Sequence, residues 1–415
     1  MIAALVIFLA TYFFLAGARL PFLRLDRAGA AVAGAVAMVA FGVLTPEQAV
    51  GEAVNWDTLL LLLGMMILTG AMARAGLFNY VSWLALRRAH GPRTLLAALV
   101  LVAGALSALL VNDTVCLMLT PLVVALVDAA ELPALPYLLA LAFGSNAGSV
   151  VTLTGNPQNM LIGTLSRISY AGFAGALLLP AALALAAVLL VLLIVFRAEL
   201  RREGRLSVDV PAPPLDRLRA LECVGVLAFV LGGFLLGYSL AWTAMAGAAI
   251  LIVFSREPPR ELFSRVDGTL LLFFAGLFIV THGIAQAGIT ERLHAAIAPW
   301  LGQTATRQTF LFGAFTVAAC QLVSNVPFVL LAARWIPKLS DPHLAWLSLA
   351  LVSTLAGNLT PVASVANLIV LEGAGKRGAI RFGTFLRIGA LCTFLPLLLS
   401  LAALLLERRL GFLSP

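Results

Sequence analysis

The sequence predicts an all-α polytopic membrane protein made of two inverted-topology repeats. Three observations predict it. The 415-residue chain is 62% hydrophobic and only 11% charged, where a soluble domain carries about 25% charge. Its apolar runs are close to the length that crosses a bilayer. Polar breaks also recur at matching places in its two halves, the signature of an internal repeat.

Taken in order, apolar runs place spans at about 2–20, 27–45, 56–75, 170–196, 220–237, 239–254, 268–287 and 385–406. Met1–Leu20 lacks a basic start and a good cleavage site, so it reads as the first span rather than a leader. The regions 94–130 and 306–340 are too long for one helix across a core of about 30 Å at about 1.5 Å per residue. Each carries a polar tip, Val111-Asn112-Asp113-Thr114 or Ser324-Asn325-Val326-Pro327. They read as helical hairpins, either re-entrant or fully spanning. The runs 136–167 and 343–372 are interrupted spans, so the expected total is about ten transmembrane helices, two hairpins and two broken helices. The stretch Phe78–Arg88 is apolar with a basic end and reads equally as an interfacial helix or a plain connector.

The first repeat is expected over 1–196 and the second over 220–415, joined by a polar linker at 197–219 that contains Pro211, Pro213 and Pro214. Val54–Thr69 aligns with Val266–Thr281 at an offset of 212, and the match continues through Gly76 and Gly288. Asn112 falls on Asn325 at an offset of 213. Thr152, Asn156 and Asn159 fall on Thr360, Ser364 and Asn367 at an offset of 208. Each half holds an odd number of spans, so the second must be inverted. With the Arg-rich linker in the cytoplasm, 20 of the 27 basic residues lie on the inner side, as expected for an inner-membrane protein. Both termini are then outside, the first hairpin enters from the cytoplasmic side, and the second enters from the outer side. The net charge of +8 follows from this bias and does not point to nucleic acid.

Candidate chemistry sits at the breaks. Thr152-Leu-Thr-Gly-Asn-Pro-Gln-Asn159 lies inside an apolar run, Leu138 to Ile168. Polar backbone at that depth is tolerated only against protein or a water-filled cavity. Helix N-termini freed by such breaks suit an anion, while carbonyls and hydroxyls suit Na⁺ or a proton relay. The candidate substrate- or ion-binding residues are Asn112, Asp113, Thr114, Thr154, Gly155, Asn156, Asn159, Ser324, Asn325, Thr360, Ser364 and Asn367. Of these, Asn112, Asn156, Asn325 and Ser364 are the candidates to hold Na⁺. Asp113 is the candidate coupling residue, because an intramembrane carboxylate is costly and functional by default. The competing reading makes it a cap for a helix starting at Thr114. The second tip has Val326 in its place, so the site has one acid. Asn146 and Asn358 serve packing as readily as ligand contact. Asp57, Glu222, Asp267 and Glu372 sit at span ends within reach of water. His282 reads as a hydrogen-bonded packing residue. Cys116, Cys223, Cys320 and Cys392 all lie in apolar runs and read as buried small hydrophobes. The four histidines are scattered, no metal-binding spacing is present and no phosphate-binding loop occurs, so no cofactor and no enzyme activity is expected.

Several of these pieces resemble the ion transporter superfamily, which contains arsenite pumps, citrate-type and divalent-anion transporters, and a class of Na⁺/H⁺ antiporter. They are Asp57–Ile67, Asn112-Asp-Thr with Thr120-Pro121, Ser145-Asn-Ala-Gly, Gly155-Asn-Pro-Gln-Asn159, Ser324-Asn-Val-Pro327 and Gly357-Asn-Leu-Thr-Pro361 with Ser364-Val-Ala-Asn367. The Gly-Asn-Pro-Gln-Asn variant is similar to a bacterial anion-transporter branch. The tips depart from the Ser-Asn-Thr of dicarboxylate carriers, and the acid at the first tip is closer to arsenite pumps and proton-coupled members. The resemblance implies secondary active transport of a small anion or oxyanion, coupled to H⁺ or Na⁺, by elevator-like or rocking motion around a midplane site. Arsenite or antimonite efflux and Na⁺/H⁺ exchange are the alternatives, with a passive channel behind them. The expected partners are the solute and the lipid bilayer, with a homodimer left open.

Overall fold

The computed structural model describes residues 1–15, 26–201, 211–256 and 258–413. Arg19, Arg24, Arg202 and Arg205, four of the basic residues assigned to the inner side, lie outside the described residues. All regular structure among the described residues is helical, and seven of the helices are long and apolar enough to cross a membrane.

The first half comprises α1 (Ile2–Leu15), α2 (Arg27–Ala40), α3 (Trp56–Arg74), α4 (Leu77–Leu86), α5 (Pro92–Leu109), α6 (Asn112–Ala129), α7 (Ala134–Ser149), α8 (Pro157–Ser166) and α9 (Tyr170–Val195). The second comprises α10 (Arg217–Leu235), α11 (Leu240–Phe254), the short α12 (Pro259–Phe263), α13 (Gly268–Gln286), α14 (Ile289–Leu301), α15 (Ala305–Val323), α16 (Asn325–Ala333), α17 (Pro342–Ala356), α18 (Val365–Gly373) and α19 (Phe382–Arg409). Both hairpins are present, as α5–α6 and α15–α16. Both interrupted spans are present too, as α7–α8 and α17–α18.

Local chemistry sets the boundaries. Asn55 and Asp267, at equivalent positions, cap α3 and α13 by accepting from the Thr58 and Leu270 amides at 2.9 and 3.0 Å. Gly76 and Gly288 take φ of 77° and 72°, the left-handed turn that stops α3 and α13 and sends the chain into α4 and α14. The first hairpin turns on extended Leu110 and Val111. The second turns on Ser324 alone, at φ 71°.

The two halves pack reciprocally. Helix α3 lies on α11 and α13 on α2; α5 lies on α7 and α15 on α17; α6 lies on α18 and α16 on α8; α9 meets α19 between them. Exchanging the halves returns the same contacts, as a two-fold relation requires. The closest approaches obey it as well. A Cβ at Gly64 would stand 2.7 Å from the Ala244 carbonyl carbon, and one at Gly276 would stand 2.6 Å from that of Ala31. Helix backbones can meet this closely only over small residues. Large apolar side chains such as Leu190, Leu221, Trp242 and Leu398 point outward, where a bilayer would receive them.

One expectation changes. Helix α6 begins at Asn112, not Thr114, and its N-cap is Val111. Asp113 is therefore in the first turn and is not the cap, because apolar Val111 starts the helix without a side-chain acceptor. Helix α14, which the sequence reading did not place, occupies the position in the second half that α4 takes in the first.

Candidate functional site

The two breaks are held by matching bonds. At α8, Asn156 Oδ1 accepts from the Asn159 amide at 2.8 Å. Asn159 Nδ2 donates back to the carbonyls of Thr152 (2.9 Å) and Ser149 (3.2 Å). At α18, Asn367 Nδ2 donates to the carbonyls of Gly357 (2.8 Å) and Thr360 (3.3 Å). Each break also reaches across to the other half. Asn156 Nδ2 donates to Thr354 Oγ1 at 3.2 Å, and Ser364 Oγ donates to Asn146 Oδ1 at 3.2 Å. These are equivalent pairs with the residue types exchanged.

Asn146, on fully buried α7, is the hub. Its amide orientation follows from its neighbours. Asn367 and Asn358 both spend their Nδ2 on backbone carbonyls, Gly357 for the first and Cys392 for the second. Their Oδ1 atoms therefore accept, and Asn146 Nδ2 donates to Asn358 at 2.8 Å and Asn367 at 3.3 Å. Asn146 Oδ1 must then accept, from Ser364 and from Asn112 Nδ2 at 3.1 Å. That leaves Asn112 Oδ1 without a partner among the described residues, and Asn325 Oδ1 at the other tip is also buried and without a partner among them. A buried carbonyl oxygen left in this state awaits a hydrogen-bond donor or a cation.

A cavity of about 310 Å³ opens beside these atoms. It is walled by the starts of six helices: Asp26–Ala28 at α2, Asn112 and Asp113 of α6, Pro157 and Gln158 of α8, Asp267, Thr269, Leu270, Phe273 and Phe274 at α13, Ser324–Val326 at α16, and Ala363–Val365 leading into α18. Each helix N-terminus carries a partial charge of about +0.5. Asp26 and Asp267 cap α2 and α13 with carboxylates. The α8, α16 and α18 termini carry no acid at the cap or in the first turn, whereas α6 carries Asp113 in its first turn, so its field is offset only while Asp113 is ionised. The Asp113 side chain takes part in no hydrogen bond or ion pair among the described residues. Arg27 is the cation of this wall, and its Nη2 donates to the Val362 carbonyl at 3.0 Å.

Five of the sequence candidates line this cavity: Asn112, Asp113, Ser324, Asn325 and Ser364. The other seven do not. Thr154 faces Thr152 and the Tyr170 hydroxyl at 3.4 and 3.3 Å. The Gly155 carbonyl accepts from the Asn112 amide at 2.9 Å, and a Cβ at Gly155 would strike the Ser149 oxygen at 2.2 Å. Asn156, Asn159 and Asn367 are fully buried and committed to the break bonds, so Asn156 is not free to ligate Na⁺ alongside the others. Thr360 donates to Gln321, and Thr114 lies beyond the wall. The His282 side chain makes no hydrogen bond among the described residues, against the expectation of a hydrogen-bonded packing residue; it faces a second cavity with Arg334 and Asp57. The four cysteines are buried. Sequence reasoning weighed Asn146 and Asn358 equally as packing and as ligand contact, and missed Asp26, Arg27, Gln158 and Phe274. The caps at Asp26 and Asp267 were readable as helix starts, but nothing in the sequence says that those starts face one cavity.

Residues 5–356 match the citrate transporter family. An uncharacterized transporter of Mycobacterium bovis is 30% identical over 428 residues, covering 98% of each chain. The silicon efflux transporter LSI3 of Oryza sativa is 31% identical over 423 residues, covering 86% of this chain and 87% of that protein. The crystal structure of the Alcanivorax borkumensis YdaH transporter shares the fold, with a TM-score of 0.63 over the whole of both chains at 17% identity.

Proposed function

Since the chain belongs to the citrate transporter family, we propose that it is a proton-coupled secondary active transporter of a small anion or oxyanion, with Asp113 as the coupling residue. One observation carries the reading. Both hairpin tips and both broken helices bring their N-termini to a single cavity, and among them stands a carboxyl with no hydrogen-bond or ion-pair partner among the described residues. Four N-terminal fields and Arg27 favour the oxygens of an anion. An ionised Asp113 opposes the same anion. For a solute charge about 5 Å away at an effective dielectric of about 20, that opposition is roughly 3 kcal/mol, on the order of 200-fold in affinity. Protonation of Asp113 removes it, so an anion and a proton would bind together and move together.

A second reading has its own support. The cavity holds three carboxyls against one guanidinium, with two unpartnered amide oxygens. Such a wall suits a neutral hydroxylated solute, arsenite or antimonite, and a relative named for silicon efflux is consistent with that. A neutral hydroxyl donor and a proton would compete for Asp113, giving exchange in place of symport. Na⁺ at Asn112 and Asn325 would draw on the same oxygens. We place the site in a bacterial-type inner membrane with both termini outside, on the strength of the basic-residue bias.

The test is purified protein in liposomes, offered a panel of anions and neutral hydroxides under imposed proton or Na⁺ gradients. Anion uptake driven by an inward proton gradient supports the first reading. Neutral-hydroxide movement against a counter-moving proton supports the second. Flux indifferent to every gradient would mean a passive channel.

A further inference from the structure

The second cavity, of about 590 Å³, is walled by Glu52–Asp57 and by parts of α8, α13 and α16. Those three helices also wall the first cavity. Each begins at the first cavity and runs toward the second. On α13 the first cavity ends at Phe274 and the second begins at Phe278; on α16 they end and begin at Val326 and Leu330. Four residues of helix are about 6 Å, so along α13 and α16 the septum is about one turn thick, and along α8, from Gln158 to Leu165, about two turns, in a membrane whose core is about 30 Å. Phe274 and Phe278 fill that turn. Both are buried, with ring centroids 6.2 Å apart, and Phe273 packs edge-on against Phe274 at 5.9 Å.

The two-fold partner helix differs. The positions on α3 equivalent to Phe274, Phe278 and His282 are Leu62, Met66 and Gly70. All three are buried. A Cβ at Gly70 would stand 2.8 Å from that of Arg265, where His282 instead faces open volume. Two-fold symmetry in the backbone is therefore broken by side chains, and open space flanks α13 on both sides of the turn.

We propose that the solute route follows α13, between α8 and α16, and that Phe274 and Phe278 are the seal that separates its two cavities. An aromatic pair excludes water and small ions across one turn, and rotation of two side chains or a small slide of α13 would open it. The proposal gives the transport reading its route, yet its test requires no transported solute.

The test uses the full-length chain in oriented vesicles and a membrane-impermeant maleimide, with the four buried native thiols as the unlabelled background. Leu270→Cys reports on the first cavity and His282→Cys on the second, and the two are expected to label from opposite faces. Adding Phe274→Ala with Phe278→Ala is expected to raise labelling of Leu270→Cys from the second face by tenfold or more. The matched Leu62→Ala, Met66→Ala pair is expected to leave it unchanged. Should the alanine pair fail to reach the membrane, the Phe→Leu pair is expected to raise it by a smaller factor. The seal is overturned if both reporters label from one face, if neither Phe pair changes the labelling, or if the α3 pair changes it equally. A failure here leaves transport standing, whereas a solute panel without flux would remove the transport reading and leave the seal.

Discussion

Asn146→Ala removes the side chain with the most hydrogen bonds across the two halves of the site. Asn146 donates to Asn358 and Asn367 and accepts from Asn112 and Ser364. Its loss leaves four polar groups short of a partner. Asn112 and Ser364 line the cavity and can turn to water. Asn358 and Asn367 are fully buried and cannot. A buried group stripped of its partner costs about 1–3 kcal/mol, so the two together cost about 2–6 kcal/mol. At roughly 2 °C per kcal/mol, the low end for a chain of this size, the apparent Tm should fall by about 4–12 °C. The four buried thiols allow the melt to be followed in detergent with a thiol-reactive dye. Thr354→Val is the internal comparison. Thr354 occupies the equivalent place in the second half and accepts from Asn156 and Gln158, of which Gln158 reaches the cavity. It should cost less than half as much. If Asn146→Ala melts within 1 °C of the parent (about 0.5 kcal/mol on the same scale), or no lower than Thr354→Val, then the hydrogen-bond hub does not organise the site.

Gly64→Val and Gly276→Val should each reduce the folded, monodisperse fraction in size-exclusion chromatography several-fold, because a Cβ meets the facing helix backbone at 2.7 and 2.6 Å; parental yields would contradict the packing. Arg27→Gln should raise KM for an anionic solute about fivefold, near 1 kcal/mol of screened attraction, and leave a neutral hydroxide unchanged; the reverse pattern would exclude Arg27 from the anion's field. Arg377→Ala removes a pair with Asp128 at 2.7 Å, but both side chains are about half exposed. It should therefore cost under about 1 kcal/mol and move the dye-followed Tm by no more than about 2 °C; a larger loss would mean that this pair anchors the α6 end.

Nearly every helix was legible because two signals coincide in this chain. Apolar runs mark what the bilayer must cover, and a Gly, Pro or Asn cluster marks each interruption. The hairpin turns at Val111 and Ser324 and the breaks before Pro157 and Val365 lie where those clusters stand. Helix α14 was overlooked, although the Gly76–Gly288 match that ends α3 and α13 in the same way pointed to it. The site was legible as a neighbourhood but not as a set of contacts. Along a helix a residue's direction follows its spacing, but in the irregular stretches 150–156 and 357–364 spacing says nothing about direction. Thr154 and Asn156 consequently turn inward while Ser364 faces the cavity, and Asn159 and Asn367, in the first turns of α8 and α18, hold the breaks by bonding back into those stretches. Asn146 was underweighted for another reason. Helix α7 is buried from Pro136 to Ser149 on every side, so it has no amphipathic stripe to single out a functional face.

The central claim is that Asp113, unpartnered among four helix N-termini, couples solute to protons. The direct measurement is uptake into proteoliposomes with Asp113→Asn, under an imposed proton gradient and also as solute exchange with no gradient. The account predicts that gradient-driven uptake falls at least tenfold while exchange persists, since Asn keeps the shape and loses the titrating group. Full gradient-driven uptake by Asp113→Asn would contradict it.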